Sequence, residues 1–227
     1  MKTRFVPQAA AVFDAVFDPF LSTRIAKLHV QAPPSPIPSG RPLVLVANHV
    51  SWWDGFLLRA LQRRLRPGAH LHTVMLEREL AKNPWFRLMG CHGLVPGDRS
   101  SWKSILGTIA VEAAVRPDLC VSFFPQGRIW PAQKRPLGFR RGLEQLIGTL
   151  PDPIVVPVAL RFEPLNTLSP HVFVRVGEPV LSPVGDVAGA KHWERLVQDL
   201  LDEQAAQLDH LGEDARHGSM DSPGRLR

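Results

Sequence analysis

Leu43-Val44-Leu45-Val46-Ala47-Asn48-His49-Val50-Ser51-Trp52-Trp53-Asp54 is the stretch on which the fold turns. It opens with a continuous apolar run, the pattern of a strand covered on both faces rather than one. Polar residues follow at once, and residues 55–65 then take the spacing of a helix. A strand-to-helix junction of this kind displays side chains at a sheet edge. A histidine placed there can act as a general base near neutral pH, and a carboxylate one helical turn on can fix its tautomer and stabilise the imidazolium. The bland alternative for His49 and Asp54 is a surface pair or a helix cap.

Downstream of this corner, strand-like and helix-like windows alternate. Strands are expected at 70–76, 93–95, 119–124, 154–162 and 171–176. Helices are expected at 77–89 in spite of Pro84, at 100–115 with serines available as caps, at 138–150 and at 190–211. This order predicts an α/β fold, a central mixed sheet flanked by helices. Upstream, Val6, Ala10, Phe13, Val16, Phe17, Phe20, Leu21, Ile25 and Leu28 recur at helical spacing, giving an amphipathic helical segment over 1–30 with a kink at Pro19. Arg4, Arg24 and Lys27 flank its apolar face, which suits a helix lying in a lipid interface. A helix packed on the core would show the same pattern. Pro33, Pro34, Pro36, Pro38, Gly40 and Pro42 make 31–42 a connector, 43–211 the main domain, and 212–227 a polar, disordered tail.

The chain has 227 residues, 44% of them hydrophobic, enough for one substantial core. A net charge of +6 and a pI near 10.0 call for an anionic partner without naming it. No helix-turn-helix, zinc-finger or RNA-module pattern accompanies the charge, so no nucleic acid is expected. Asp14, Asp18 and Pro19 interrupt any secretory signal, and no window reaches the ~18 apolar residues of a spanning helix. The sequence therefore predicts peripheral or monotopic contact with the cytoplasmic face of a membrane. Cys91 and Cys120 read as buried reduced thiols. His70 and His72 alternate on a strand, but no third metal ligand is evident and no metal is expected. Arg59, Arg63, Arg64 and Arg66 read as a solvated helix face. Trp52, Trp53, Trp85, Trp102 and Trp130 divide between core and interfacial anchors.

Two further segments sit after strands. Phe123-Phe124-Pro125-Gln126-Gly127-Arg128 offers a glycine turn with exposed amides and an arginine able to fork onto oxyanions. Gly93-Leu94-Val95-Pro96-Gly97-Asp98-Arg99 supplies another arginine. There is no Gly-x-Ser-x-Gly nucleophile elbow, so a base at His49 would have to activate a hydroxyl that the substrate brings.

Taken in order, a His-x4-Asp block, a Gly-x-x-Pro-x-x-Arg block, a Phe-Pro-x-Gly block and Val155-Val156-Pro157-Val158 resemble the four-block pattern of the glycerolipid acyltransferase family, typified by 1-acylglycerol-3-phosphate acyltransferases. The resemblance covers roughly residues 43–160, and Gly138-Phe139-Arg140-Arg141-Gly142 is similar to the basic turn that follows the third block. It implies O-acylation of a lysophospholipid-like acceptor from an acyl-coenzyme A or acyl-carrier-protein thioester, with no other cofactor. It implies His49 as base, Asp54 as its orienting carboxylate, Arg99 at an acceptor phosphate and Gly127 shaping the acceptor pocket; Gln126 and Arg128 of the same turn are expected to line the acceptor too, with Arg140 and Arg141 as further anion contacts. Pro157 would position a strand beside them. The third block departs from the family's Phe-Pro-Glu-Gly-Thr-Arg-Ser, since Gln126 stands for the glutamate and Arg128 for the threonine. That departure points to an acceptor other than lysophosphatidic acid, such as an amino-acid lipid, a glycolipid or a hydroxylated isoprenoid. A thioesterase that activates water is the remaining enzymatic alternative.

Overall fold

The computed structural model describes residues 3–214. The order is α1 (Pro7–Arg24), β1 (Lys27–Gln31), β2 (Leu43–Ala47), α2 (Asp54–Leu65), β3 (Leu71–Leu76), α3 (Glu77–Lys82), β4 (Cys91–Leu94), α4 (Arg99–Val115), β5 (Cys120–Phe123), α5 (Gly142–Thr149), β6 (Ile154–Glu163), β7 (His171–Val176), β8 (Val180–Leu181) and α6 (Ala190–Asp214). The strands form one mixed sheet in the order β1-β7-β6-β2-β5-β3-β4, with β8 also on β6. β2, β3, β4, β5 and β6 are mutually parallel, and β7 and β8 run antiparallel to β6.

Strand β2 lies between β5 and β6, and its alternation explains its apolar run. Val44 and Val46 enter one core with Ile105, Ile109, Leu146, Trp193 and Val197 of α4, α5 and α6. Leu43, Leu45 and Ala47 enter the other, with Leu57, Leu58 and Leu61 of α2. All five β2 residues are fully buried. The sheet is thus covered on both faces, as parallel strands require, and the corner after β2 emerges at the strands' C-terminal edge.

The N-terminal segment departs from a single helix over 1–30. The helix stops at Arg24, and Lys27–Gln31 pairs in parallel with β7, Leu28 opposite Val172 and Val30 opposite Val174. Helix α1 packs on the domain. Ala10 and Leu21 are buried, Phe17 lies on Phe56 at 4.1 Å between ring centroids, and Asp14 accepts two hydrogen bonds of 2.7 Å from Arg59. Arg63 reaches Asp18 at 2.7 Å, and Arg66 is buried and donates to the carbonyls of Arg41 and Pro38. The four arginines are therefore not one solvated face; Arg64 alone among them is exposed. Opening the Arg59–Asp14 fork would cost about 3–5 kcal/mol, because one buried charge would be left unpaired.

Other boundaries moved for local reasons. The helix expected over 77–89 breaks at Asn83, which takes φ −136° and ψ 67°, and a 3-10 turn follows over Pro84–Leu88. A residue before proline is driven out of the helical region by the ring, which accounts for the break. Asp98, rather than a serine, caps α4 by accepting from the Ser100 amide at 2.8 Å. The helix expected from 138 begins at Gly142, and β8 was not anticipated. Helix α6 runs to Asp214, past the expected start of the tail, and residues 215–227, expected to be disordered, lie outside the described residues. Cys120 is buried as expected and Cys91 only partly so; desolvation pushes both thiols up to about 12, and neither is in a disulfide.

Candidate active site

His49 leaves the sheet at the C-terminal end of β2. Its neighbour Asn48 is fully buried and bonds both ways to Leu160 of β6, giving at 2.9 Å and accepting at 2.8 Å. The strand end is therefore locked before the chain turns. Asp54, at the first turn of α2, has no exposed surface, and its Oδ2 accepts from His49 Nδ1 at 2.7 Å and from the amides of Val50 and Ser51 at 2.6 and 2.9 Å. Three donors on one oxygen hold the carboxylate in place, and a helix N-terminus favours its charge. With Nδ1–H given to Asp54, His49 Nε2 carries the lone pair, and the imidazole keeps 23% of its side-chain surface. The ring stacks on Phe124 at 4.4 Å. A base so arranged can take a proton from a group in the adjoining space.

The turn after β5 lies against the His49 backbone, since Gln126 accepts from the His49 amide. Gly127 sits at φ +66°, where only glycine is unstrained, and its amide donates to Phe124 at 3.0 Å. A cavity of about 280 Å³ is lined by Gln126, Arg128, Trp130, Lys134, Leu137 and Arg140, among others. Arg128 lies over the Trp130 ring at 4.3 Å and Lys134 at 5.2 Å. Three cations thus share one hollow, and its lining residue Gln126 bonds directly to His49. Its floor is held from α6, where buried Glu194 accepts from the amides of Gly138 and Phe139 at 2.8 and 3.1 Å.

Not every expected residue joins this cluster. Arg99 opens into a separate cleft of about 670 Å³ between α4 and α5, with Trp102, Lys103 and Gln145. Arg141 stands at the N-cap position of α5 without a capping bond from its side chain, and lines neither hollow. Gln126 lines the cavity, but both ends of its amide are engaged within the protein: Oε1 accepts from the His49 amide at 2.6 Å and Nε2 donates to the Leu137 carbonyl at 3.1 Å. One N–H and one lone pair of the amide remain beyond these two bonds, so its first role is to join the His49 backbone to Leu137. Pro157 pairs with Val46 one strand away, where it abuts Gly177. Lys134 and Glu194 escape sequence reading, and Phe124 is singled out there only as part of the turn, not as the ring stacked on His49. For Lys134 a signal existed, a cation close behind the third block, whereas nothing in α6 distinguished Glu194.

A second histidine cluster occupies the opposite edge of the sheet. His70 Nδ1 meets Glu112 at 2.7 Å, His72 Nε2 meets it at 3.2 Å, and His72 Nδ1 meets His92 Nε2 at 2.9 Å. The close approach of the His72 imidazole leads in drawing Glu112 down to about 2, and burial drives His92 to about 3. Among the described residues no group of His, Cys, Asp or Glu side chains is arranged to hold a metal ion.

Residues 29–161, more than half of the chain, match the family model for acyltransferases. The chain belongs to the acyltransferase family. The fold of this acyltransferase is similar to the crystal structure of PlsC, the 1-acyl-sn-glycerophosphate (LPA) acyltransferase from Thermotoga maritima. The TM-score is 0.62 at 18% identity, over 86% of this chain and 79% of that one. No curated protein matches the chain in sequence. The matched span contains both His49 and Asp54 and the whole turn from Phe123 to Arg140, so the family expectation and the α/β class hold for this acyltransferase.

Proposed function

We propose that this acyltransferase moves a fatty acyl group from a coenzyme A or acyl-carrier-protein thioester to the hydroxyl of a lysophospholipid-like acceptor at a membrane surface. The observation that carries the reading is the His49–Asp54 pair opening beside a hollow with three cations, Arg128, Lys134 and Arg140. A phosphate seated on those cations would bring the acceptor hydroxyl to His49 Nε2. As the hydroxyl oxygen attacks the thioester carbonyl, Nε2 takes its proton and Asp54 stabilises the imidazolium. Collapse of the tetrahedral intermediate breaks the carbon–sulfur bond, and the imidazolium returns the proton to the departing thiolate. The thioester is already activated, so a base and close placement suffice, with no further cofactor called for by the chemistry.

The surface beside the pair supports a lipid acceptor. Val12, Val16 and Phe20 of α1, Trp52 three residues from His49, and Trp85 of the 3-10 turn are all exposed large apolar side chains. Phe13 touches Trp85 at 5.0 Å, Phe20 touches Trp53 at 6.0 Å and Trp52 touches Phe56 at 4.9 Å, which ties these positions into one aromatic layer. Helix α1 thus has two roles in this reading, one face packed on α2 and the other toward acyl chains. Among the described residues no helix is long and apolar enough to cross a membrane. In this reading the exposed side chains of α1 and Trp52 meet the membrane from one side, taken to be the cytoplasmic face.

The test is an acceptor panel of lysophosphatidic acid, other lysophospholipids and uncharged hydroxylated amphiphiles, incubated with isotope-labelled acyl donor and read by mass spectrometry. Esterified product is expected from the phosphate-bearing monoacyl lipids. An enzyme that esterifies only the uncharged amphiphiles would overturn the acceptor assignment.

A further inference from the structure

We propose that Gln126 is a positioning residue that sets the backbone of His49, and that an amide is required there; the inference rests on His49 being the base of acyl transfer. Gln126 is 2% exposed and its side chain links the end of β2 to the loop at Leu137. Toward β2 it accepts from the His49 amide at 2.6 Å; toward the basic loop it donates to Leu137 at 3.1 Å. The other side of His49 is clamped by the same turn, since the Trp130 amide donates to the His49 carbonyl at 2.8 Å. Leu137 leads into Gly138 and Phe139, held by Glu194, and into Arg140, whose amide donates to Pro125 at 3.1 Å. Gln126 is therefore the crosspiece between the base and the loop that presents Arg140.

The crosspiece needs one acceptor and one donor at that length. A glutamine has both, and an ionised glutamate has acceptors only. A glutamate here could still accept from His49, but its second oxygen would face the Leu137 carbonyl without a hydrogen between them. Protonation would restore the bond. The charged groups around the position are His49 and Asp54 at the β2–α2 corner, Glu194 of α6 behind Gly138, and Arg128, Lys134 and Arg140 in the cavity wall. Burial and the two carboxylates favour the protonated acid, and the three cations oppose it. The three cations line the same cavity as the side chain and hold the acid ionised at neutral pH, so the bridge to Leu137 forms only as the pH falls.

The experiment compares Gln126→Glu and Gln126→Met with wild type by steady-state acyl transfer across pH, by thermal unfolding, and by hydrogen exchange at the His49 amide. Gln126→Met should lower kcat about 10- to 100-fold, the scale of a small misplacement of a catalytic group, leaving the ranking of acceptors unchanged and speeding exchange at His49. Gln126→Glu should be impaired at neutral pH, and its activity relative to wild type should rise as the pH falls. Should Gln126→Met not fold, that relative pH profile carries the test alone. Wild-type kcat in Gln126→Met, or a flat relative profile in Gln126→Glu with an altered acceptor ranking, overturns the proposal. Absence of acyl transfer by the wild type would instead refute the proposed function, while exchange at His49 would still report whether the bridge exists.

Discussion

The two edges of the sheet carry the same chemical pair and put it to different use. At one edge His49 meets Asp54 at 2.7 Å, and at the other His70 meets Glu112 at the same distance. The first pair stands at the C-terminal ends of parallel strands, with an imidazole partly open and a cationic cavity beside it. In the second, Glu112 is shared by His70 and His72, and His72 is closed off by contact with His92. A histidine–carboxylate contact is thus no sign of catalysis by itself. What separates the two edges is access for a substrate oxygen and a place for the rest of the substrate.

The sharpest way to break this contrast is one alanine at each edge. His49→Ala should lower acyl transfer about 100- to 10,000-fold with thermal unfolding near wild type, the usual scale for losing a general base. His72→Ala should do the reverse, lowering the unfolding temperature with turnover retained, since Glu112 and His92 would each lose a buried partner. Asp54→Asn comes next. It keeps the shape but removes the charge that would stabilise an imidazolium, so a loss on the order of 100-fold in kcat is expected. About 1–3 kcal/mol of stability should go with it, because a buried amide N–H2 then lacks a partner. Denaturant unfolding alongside kinetics separates the two effects.

Arg128→Ala with Arg140→Ala probes the cationic hollow beside the first edge. Each charge-assisted bond is worth about 1.5–3 kcal/mol, so the KM for a phosphate-bearing acceptor should rise tenfold or more with the donor KM unchanged. An equal rise for uncharged acceptors would deny the hollow that role. The smallest effect concerns acid stability. Glu112 is held at about 2 when folded, so its contribution is whole above its ordinary value of 4.5 and is lost as the pH falls toward 2. His92 is held at about 3, so the unfolded chain binds the extra proton between its ordinary 6.5 and 3, and stability declines through that window as the pH falls. Both act in one direction, and His92→Leu should flatten the fall of unfolding temperature by a few degrees. An unchanged slope would show that this edge is not where acid acts.

The sequence carried the sheet better than it carried the helix faces. Val44 and Val46 alternate with Leu43 and Leu45 into two cores, and a strand buried on both sides leaves an unmistakable apolar run. Strand β1 was absorbed into the preceding helix because Leu28 continues the helical spacing, and only its pairing with β7 reveals it. That Arg59 meets Asp14 depends on how α1 crosses α2, a register that neither helix encodes alone. The candidate site divides the same way. His49 and Asp54 were legible because their contact is local, closed by one turn of helix. Gln126 was legible as a departure, but the direction of its side chain depends on where residues 137–140 return. Arg99 was grouped with Arg128 by order along the chain, and the sheet places the two in different hollows.

His49 is proposed to activate the hydroxyl of an acceptor rather than water, and thiol release from an acyl thioester, measured with and without acceptor, separates the two. The prediction is that free thiol and acylated acceptor appear together, in equal amounts, and only when the acceptor is present. Thiol release at the same rate without acceptor, with free fatty acid as the product, would contradict it.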